Sequence, residues 1–111
     1  MKIDVRFRGI ESSDAITEHA RRRIHYHLSR FGHEVATVSV RVADDNGPKG
    51  GIDKRCRVVV HGPRMGVITL EELTGDVYSA IDGAIERVGR CIGRELERGR
   101  SSRHVPLRKV S

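Results

Sequence analysis

A chain of 111 residues, 37% hydrophobic and 32% charged with both kinds spread along its length, predicts one globular domain rather than a disordered segment. No apolar run approaches the roughly 20 residues that cross a bilayer, and the alternating N-terminus is unlike a secretory leader, so a cytoplasmic protein without membrane contact is expected. Net charge is +6; only Lys2, Lys49, Lys54 and Lys109 among the 21 basic residues are lysine, and the other 17 are arginine, the side chain that forks onto phosphate with two hydrogen bonds.

Lys2 to Arg8 alternates strictly, with Ile3, Val5 and Phe7 on one side, and predicts a strand with one buried face. Gly9 ends it. Ser12 and Ser13 offer an N-cap and Asp14 sits where a helix dipole favours negative charge, so a helix is expected to about Phe31, with Gly32 as its stop. Val35 to Ala43 alternates again, with Ala36, Val38, Val40 and Val42 inward. Residues 44–53 read as a loop because they hold Asn46, Gly47 and Pro48 and then Gly50 and Gly51. Arg55 to His61 and Val67 to Leu73 are the next strands, the first with Cys56, Val58 and Val60 inward and the second with Ile68 and Leu70. Short connections make these three strands an antiparallel meander. Thr74, Gly75 and Asp76 break the pattern and supply a cap, and a helix is expected from Val77 to about Arg98. Residues 99–111 carry +4 and lack periodicity, which predicts a basic flexible tail after a domain of residues 1–98.

The order β-α-β-β-β-α predicts an α+β, two-layer sandwich: a four-stranded sheet with both helices on one face. The other face, with Arg6, Arg8, Arg41, Arg55 and Arg57, should meet water.

Two rows of arginine stand out at about 100° per residue. On the first helix, His19, Arg23, Tyr26 and Arg30 run beside the core stripe of Ile16, Ala20, Ile24, His27, Leu28 and Phe31, with Arg22 adjacent. On the second, Arg87, Arg90, Arg94 and Arg98 run roughly opposite Val77, Ile81, Ala84, Ile85, Val88, Ile92 and Leu96. Lining up like charges does not help a helix, whereas an anion lying against the line offsets the repulsion; the rival reading is a solvated face with Glu86, Glu95 and Glu97 as partners. Gly89 and Gly93, one turn apart, read as a place where the first helix packs closely.

Other chemistry is poorly supported. His25 and His27 diverge by roughly 200° on a helix and cannot share a metal ion. Asp44, Asp45, Asn46 and Asp53 lack the spacing and closing Glu of a calcium loop and read as turn residues. The run from Gly47 to Gly51 has no phosphate-loop pattern, though Lys49 and the backbone around it remain open as a phosphate contact. Cys56 and Cys91 form no metal knuckle or redox pair, in keeping with a reducing compartment. No nucleophile and base come together, so no enzyme, metal or cofactor is expected.

The run from Asp76 through Tyr78, Ala80, Ile81, Asp82 and Ile85 to Arg87, with Ile10 to Ile16, Arg22, Arg23 and Phe31 in the first helix, resembles the ribosome hibernation-promoting factor / ribosome-associated translation inhibitor family over residues 1–98. The resemblance implies a fold similar to the double-stranded-RNA-binding domain. It also implies a non-enzymatic bacterial protein of stress and stationary phase. Such a protein binds the small ribosomal subunit of the 70S ribosome in the mRNA/tRNA channel at the decoding region, inhibits translation and protects idle ribosomes. By matching position it places rRNA contacts at Arg23, Arg87, Arg90, Arg94 and Arg98; helix geometry adds Arg22, Tyr26 and Arg30, and the two rows are expected to face one shared groove of rRNA. A chain ending at Ser111 looks like a short member, monomeric when free. It departs from well-known short members in its longer, glycine-rich 44–53 loop and its basic tail. Two alternatives stand beside this: a general structured-RNA-binding module, against which the second helix opens without a lysine-rich turn, and an adaptor that grips an acidic protein.

Overall fold

A computed structural model describes residues 1–45 and 53–103 of the chain. Its order is β1 (Lys2–Arg8), α1 (Asp14–Leu28), a 3-10 turn (Ser29–Phe31), β2 (Thr37–Asp44), β3 (Lys54–Gly62), β4 (Gly66–Thr74) and α2 (Val77–Arg103). The four strands form one sheet in the order β1-β2-β3-β4, with β1 and β2 parallel and the other two pairs antiparallel. This is the expected α+β architecture. The helix between β1 and β2 permits the parallel pairing, and the short connections that follow impose antiparallel pairing.

Alternation along the strands decides which face is dry. Val38, Val40 and Val42 of β2 and Cys56, Val58 and Val60 of β3 are fully buried, while Arg41 and Arg57 between them are exposed. The helices close over that apolar face. α1 contributes Ile16, Ala20, Ile24 and Leu28, and α2 contributes Val77, Ala80, Ile81, Ala84, Ile85, Val88 and Ile92. α2 rests on β3 and β4, and α1 packs against α2 and β1. Burial pushes the Cys56 thiol up to about 12, which makes it an inert core residue.

Both helix starts are capped as read. Ser13 Oγ accepts from the Ile16 amide at 3.2 Å. The Asp76 carboxylate accepts from the Ser79 amide at 2.9 Å and from the Ser79 hydroxyl at 3.1 Å. The helix ends differ from expectation. α1 stops at Leu28 and tightens into the 3-10 turn, and Gly32 has φ −53 rather than a left-handed stop. α2 runs through Gly99 to Arg103, five residues into the segment read as tail; the roughly 1 kcal/mol penalty of an interior glycine does not end a helix already seated on a sheet. β2 begins at Thr37, so Val35 is buried in the connection before it and Ala36 is exposed rather than inward.

Gly89 and Gly93 do lie at the α1–α2 contact. A methyl group at 89 would stand 3.5 Å from the His27 carbonyl oxygen and one at 93 would stand 3.8 Å from the Phe31 ring. These are ordinary contact distances, so the pair marks the seam without being required by it.

The Asp53 carboxylate, read as a turn residue, is instead the one buried charge among the described residues, with its residue 1% exposed. Lys54 Nζ bonds it at 2.8 Å and reaches Asp44 at 3.4 Å, and the Asp45 amide bonds the Asp53 carbonyl at 3.0 Å. This network closes the base of the 44–53 segment. Lys49 lies outside the described residues.

Candidate nucleic-acid interface

The helical layer places the two arginine rows on the outside of the domain, but not along one groove. α1 turns its row toward α2. His19 Nε2 donates to Asp82 Oδ1 at 2.7 Å, since a carboxylate can only accept. Arg23 Nε lies 3.4 Å from the same oxygen. Arg23 Nη2 is 2.9 Å from His27 Nε2, and because a guanidinium has no acceptor that nitrogen of His27 carries the lone pair. Burial first, and then the Arg23 charge, hold His27 below the ordinary imidazole value, which favours this neutral, accepting form. Arg23 also lies over the Tyr26 ring at 5.3 Å.

Tyr26 is 76% exposed. With His19, Arg22, Arg23 and His25 it bounds an open hollow of about 670 Å³. Further along α1, Arg30 lies over the Phe31 ring at 4.7 Å and borders a second hollow of about 420 Å³ with Glu34, Gly93 and Glu97. Sequence geometry therefore brought Arg22, Arg23 and Tyr26 together correctly.

The α2 row looks elsewhere. Gly89 faces α1, and Arg87, Arg90, Arg94 and Arg98 lie roughly 100–180° around the helix from it. Arg87 Nη1 bonds the Glu72 carboxylate of β4 at 2.6 Å and the Glu71 carbonyl at 3.3 Å. Arg94 and Arg98 line a hollow of about 330 Å³ beside β4 with Val67, Ile68, Cys91 and Glu95. Arg90, bonded to Glu86 at 3.2 Å, stands on the outer crest. The expectation that both rows face a shared groove is thus corrected: the seam between the helices holds Asp82, and the α2 row lies on the far side of α2 from it.

Carboxylates also accompany most of these arginines. Arg22 reaches Glu18 at 3.9 Å and Arg98 reaches Glu95 at 3.1 Å. Among the described residues Arg94 lies 3.4 Å from the Cys91 sulfur, and Arg30 lies over the Phe31 ring. Exposed pairs of this kind contribute about 0–1 kcal/mol, so they hold the side chains without locking them against a phosphate. Sequence reading missed Asp82 and Glu72 as the residues that aim Arg23 and Arg87. The Asp82 signal was present in the A-I-D run; Glu72 gave none, because its partner is on another element.

Among the described residues no cluster of His, Cys, Asp or Glu is arranged to hold a metal ion, and no helix is long and apolar enough to cross a membrane. The described surface is an arginine-rich helical layer on an α+β domain. Residues 3–100 match the model of the sigma 54 modulation protein / S30EA ribosomal protein family, and the chain belongs to that family; the resemblance read from residues 76–87 and the first helix is borne out. A curated relative, the chloroplastic ribosome-binding factor PSRP1 of Spinacia oleracea, is 32% identical over 84 residues, 74% of this chain but 28% of the relative, so the chain spans little more than a quarter of that protein's length. Two solved structures share the fold. The N-terminal domain of Protein Y from Thermus thermophilus has a TM-score of 0.69 at 24% identity, over 85% of this chain and 98% of that one. A ribosomal subunit interface protein from Coxiella burnetii has a TM-score of 0.73 at 16% identity, over 85% and 96%.

Proposed function

We propose that this protein is a cytoplasmic, non-enzymatic ribosome hibernation factor. Residues 1–98 bind rRNA of the small ribosomal subunit in the mRNA/tRNA channel at the decoding region, and the basic residues 99–111 follow as an appendage whose first five residues prolong α2. The protein acts as a monomer, stops translation by filling the space of mRNA and tRNA, and protects idle ribosomes in stress and stationary phase. The observation that carries this reading is the outer layer of exposed guanidinium groups on both helices of a chain from a ribosome-associated family.

Guanidinium groups neutralise phosphates and release their counterions. Folded rRNA is recognised largely through shape and backbone, which suits an arginine-rich surface with little to read base edges. The exposed Tyr26 ring, flanked by Arg22 and Arg23, is placed to stack on an unpaired base, a contact of about 1–3 kcal/mol. Arg23 is held for this by Asp82 and His27.

Affinity for intact small subunits compared with free duplex RNA tests the reading. The expected result is clear preference for the subunit at ~0.15 M salt. Equal affinity for both would make the protein a general RNA-binding module, and binding that resists ribonuclease would make it an adaptor for an acidic protein.

A further inference from the structure

The exposed face of the sheet carries cations that the helix-side reading leaves unused. Strand register sets Arg6 beside Arg41 and Arg41 beside Arg57. Three guanidinium groups therefore cross β1, β2 and β3 in one row, at the strand spacing of about 4.8 Å. The next position in the row is Glu71 of β4, but Arg55 takes its carboxylate at 3.0 Å while also bonding Asp45 at 3.1 and 2.5 Å. Arg6 is bonded to Asp4 of its own strand at 2.8 Å. Arg41 and Arg57 have no carboxylate partner among the described residues. With Ser39 and Val59 they line a shallow depression of about 170 Å³.

Like charges directly opposite on neighbouring strands repel. The same face shows the ordinary remedy at Arg55, which two carboxylates surround, and withholds it from Arg41 and Arg57. Protein-binding surfaces centre on aromatic or aliphatic anchors; beside Arg41 and Arg57 stand Ser39, Ala43 and Val59, and the large exposed aliphatic side chains of this face, Val67 and Leu73, lie out on the edge strand β4. Guanidinium donors without stacking rings suit a phosphodiester backbone, contact with which positions a partner without reading its sequence.

We propose that the sheet face, through Arg41 and Arg57 with Arg6, is a second RNA-backbone contact. The domain is then held between two walls of rRNA, one against each layer, instead of docking through its helices alone. This rests on the ribosomal reading above.

The test uses the full chain with Arg41→Gln and Arg57→Gln together, cosedimented with purified small subunits over a salt series. The slope of log K against log salt is expected to become shallower by about 1.4–1.8, the share of two phosphates, while the melting temperature holds or rises as repulsion is relieved. A photo-crosslinker at Ser39→Cys, in a Cys91→Ser background, is expected to give an rRNA adduct. Wild-type binding with an unchanged slope in the double variant, or adducts confined to ribosomal proteins, overturns this inference alone. Absence of wild-type binding to subunits overturns it together with the reading it rests on.

Discussion

Replacing Arg90, Arg94 and Arg98 with glutamate is expected to abolish cosedimentation with small ribosomal subunits while moving the thermal melt by only a few degrees. All three side chains are exposed, and the bonds of Arg90 and Arg98 are to Glu86 and Glu95 on the same helix. Losing such pairs takes away less than about 1 kcal/mol each, and the new repulsion between Glu86 and a carboxylate at position 90 adds only a few tenths. Binding responds far more strongly. Three phosphate contacts disappear and three negative charges take their place on a surface meant to lie against a polyanion. Arg87 is left out of the set because it ties α2 to Glu72 of β4, where reversal would also strain the fold. Retained binding with an unaltered salt response would move the interface off α2.

Lys54→Met is expected to lower the melting temperature by more than about 10 °C, the effect of leaving a buried carboxylate without its counter-charge. The Asp53 side chain is 0% exposed, and Lys54 supplies its hydrogen bond; its second oxygen has no partner. Adding Asp53→Asn to the same chain should restore much of the loss, because the amide carries no charge to strand. The hydrogen bond to Asp53 raises the Lys54 pKa above its usual 10.5. A raised folded value means that the contribution of the Lys54 charge is present in full below pH 10.5 and is lost as the pH climbs through the folded value. Neutral-pH melts therefore read it in full. Equal loss in the single and double variants would show that packing of the lysine stem, not charge, is what matters.

Much of the fold was legible because it depends on periodicity. Strict alternation marked β1 to β4, and the 3.6-residue stripe marked which side of each helix is dry. Ile24, Leu28, Ile81, Ile85 and Val88 fell where the pattern put them. The direction of the arginine rows was only half legible. A helical wheel orients Arg87, Arg90, Arg94 and Arg98 against their own core, but says nothing of which flank the neighbouring helix occupies. Gly89 and Gly93 did carry that information: read as the packing seam, they already place the row on the far side. Pairings across elements, such as His19 with Asp82 or Arg87 with Glu72, lie 63 and 15 residues apart and have no local signature. Asp53 misled for a different reason: an aspartate beside glycines and asparagine looks like a turn, and its burial is made tolerable by the ammonium of the very next residue, Lys54, which also serves Asp44.

The salt dependence of wild-type binding to intact small subunits bears most directly on the claim that arginines of this domain meet rRNA backbone. With about six phosphates engaged, log K should fall against log salt with a slope of roughly −4 to −5. A slope near zero would contradict the account, since an interface that releases no counterions is not built on guanidinium–phosphate contacts.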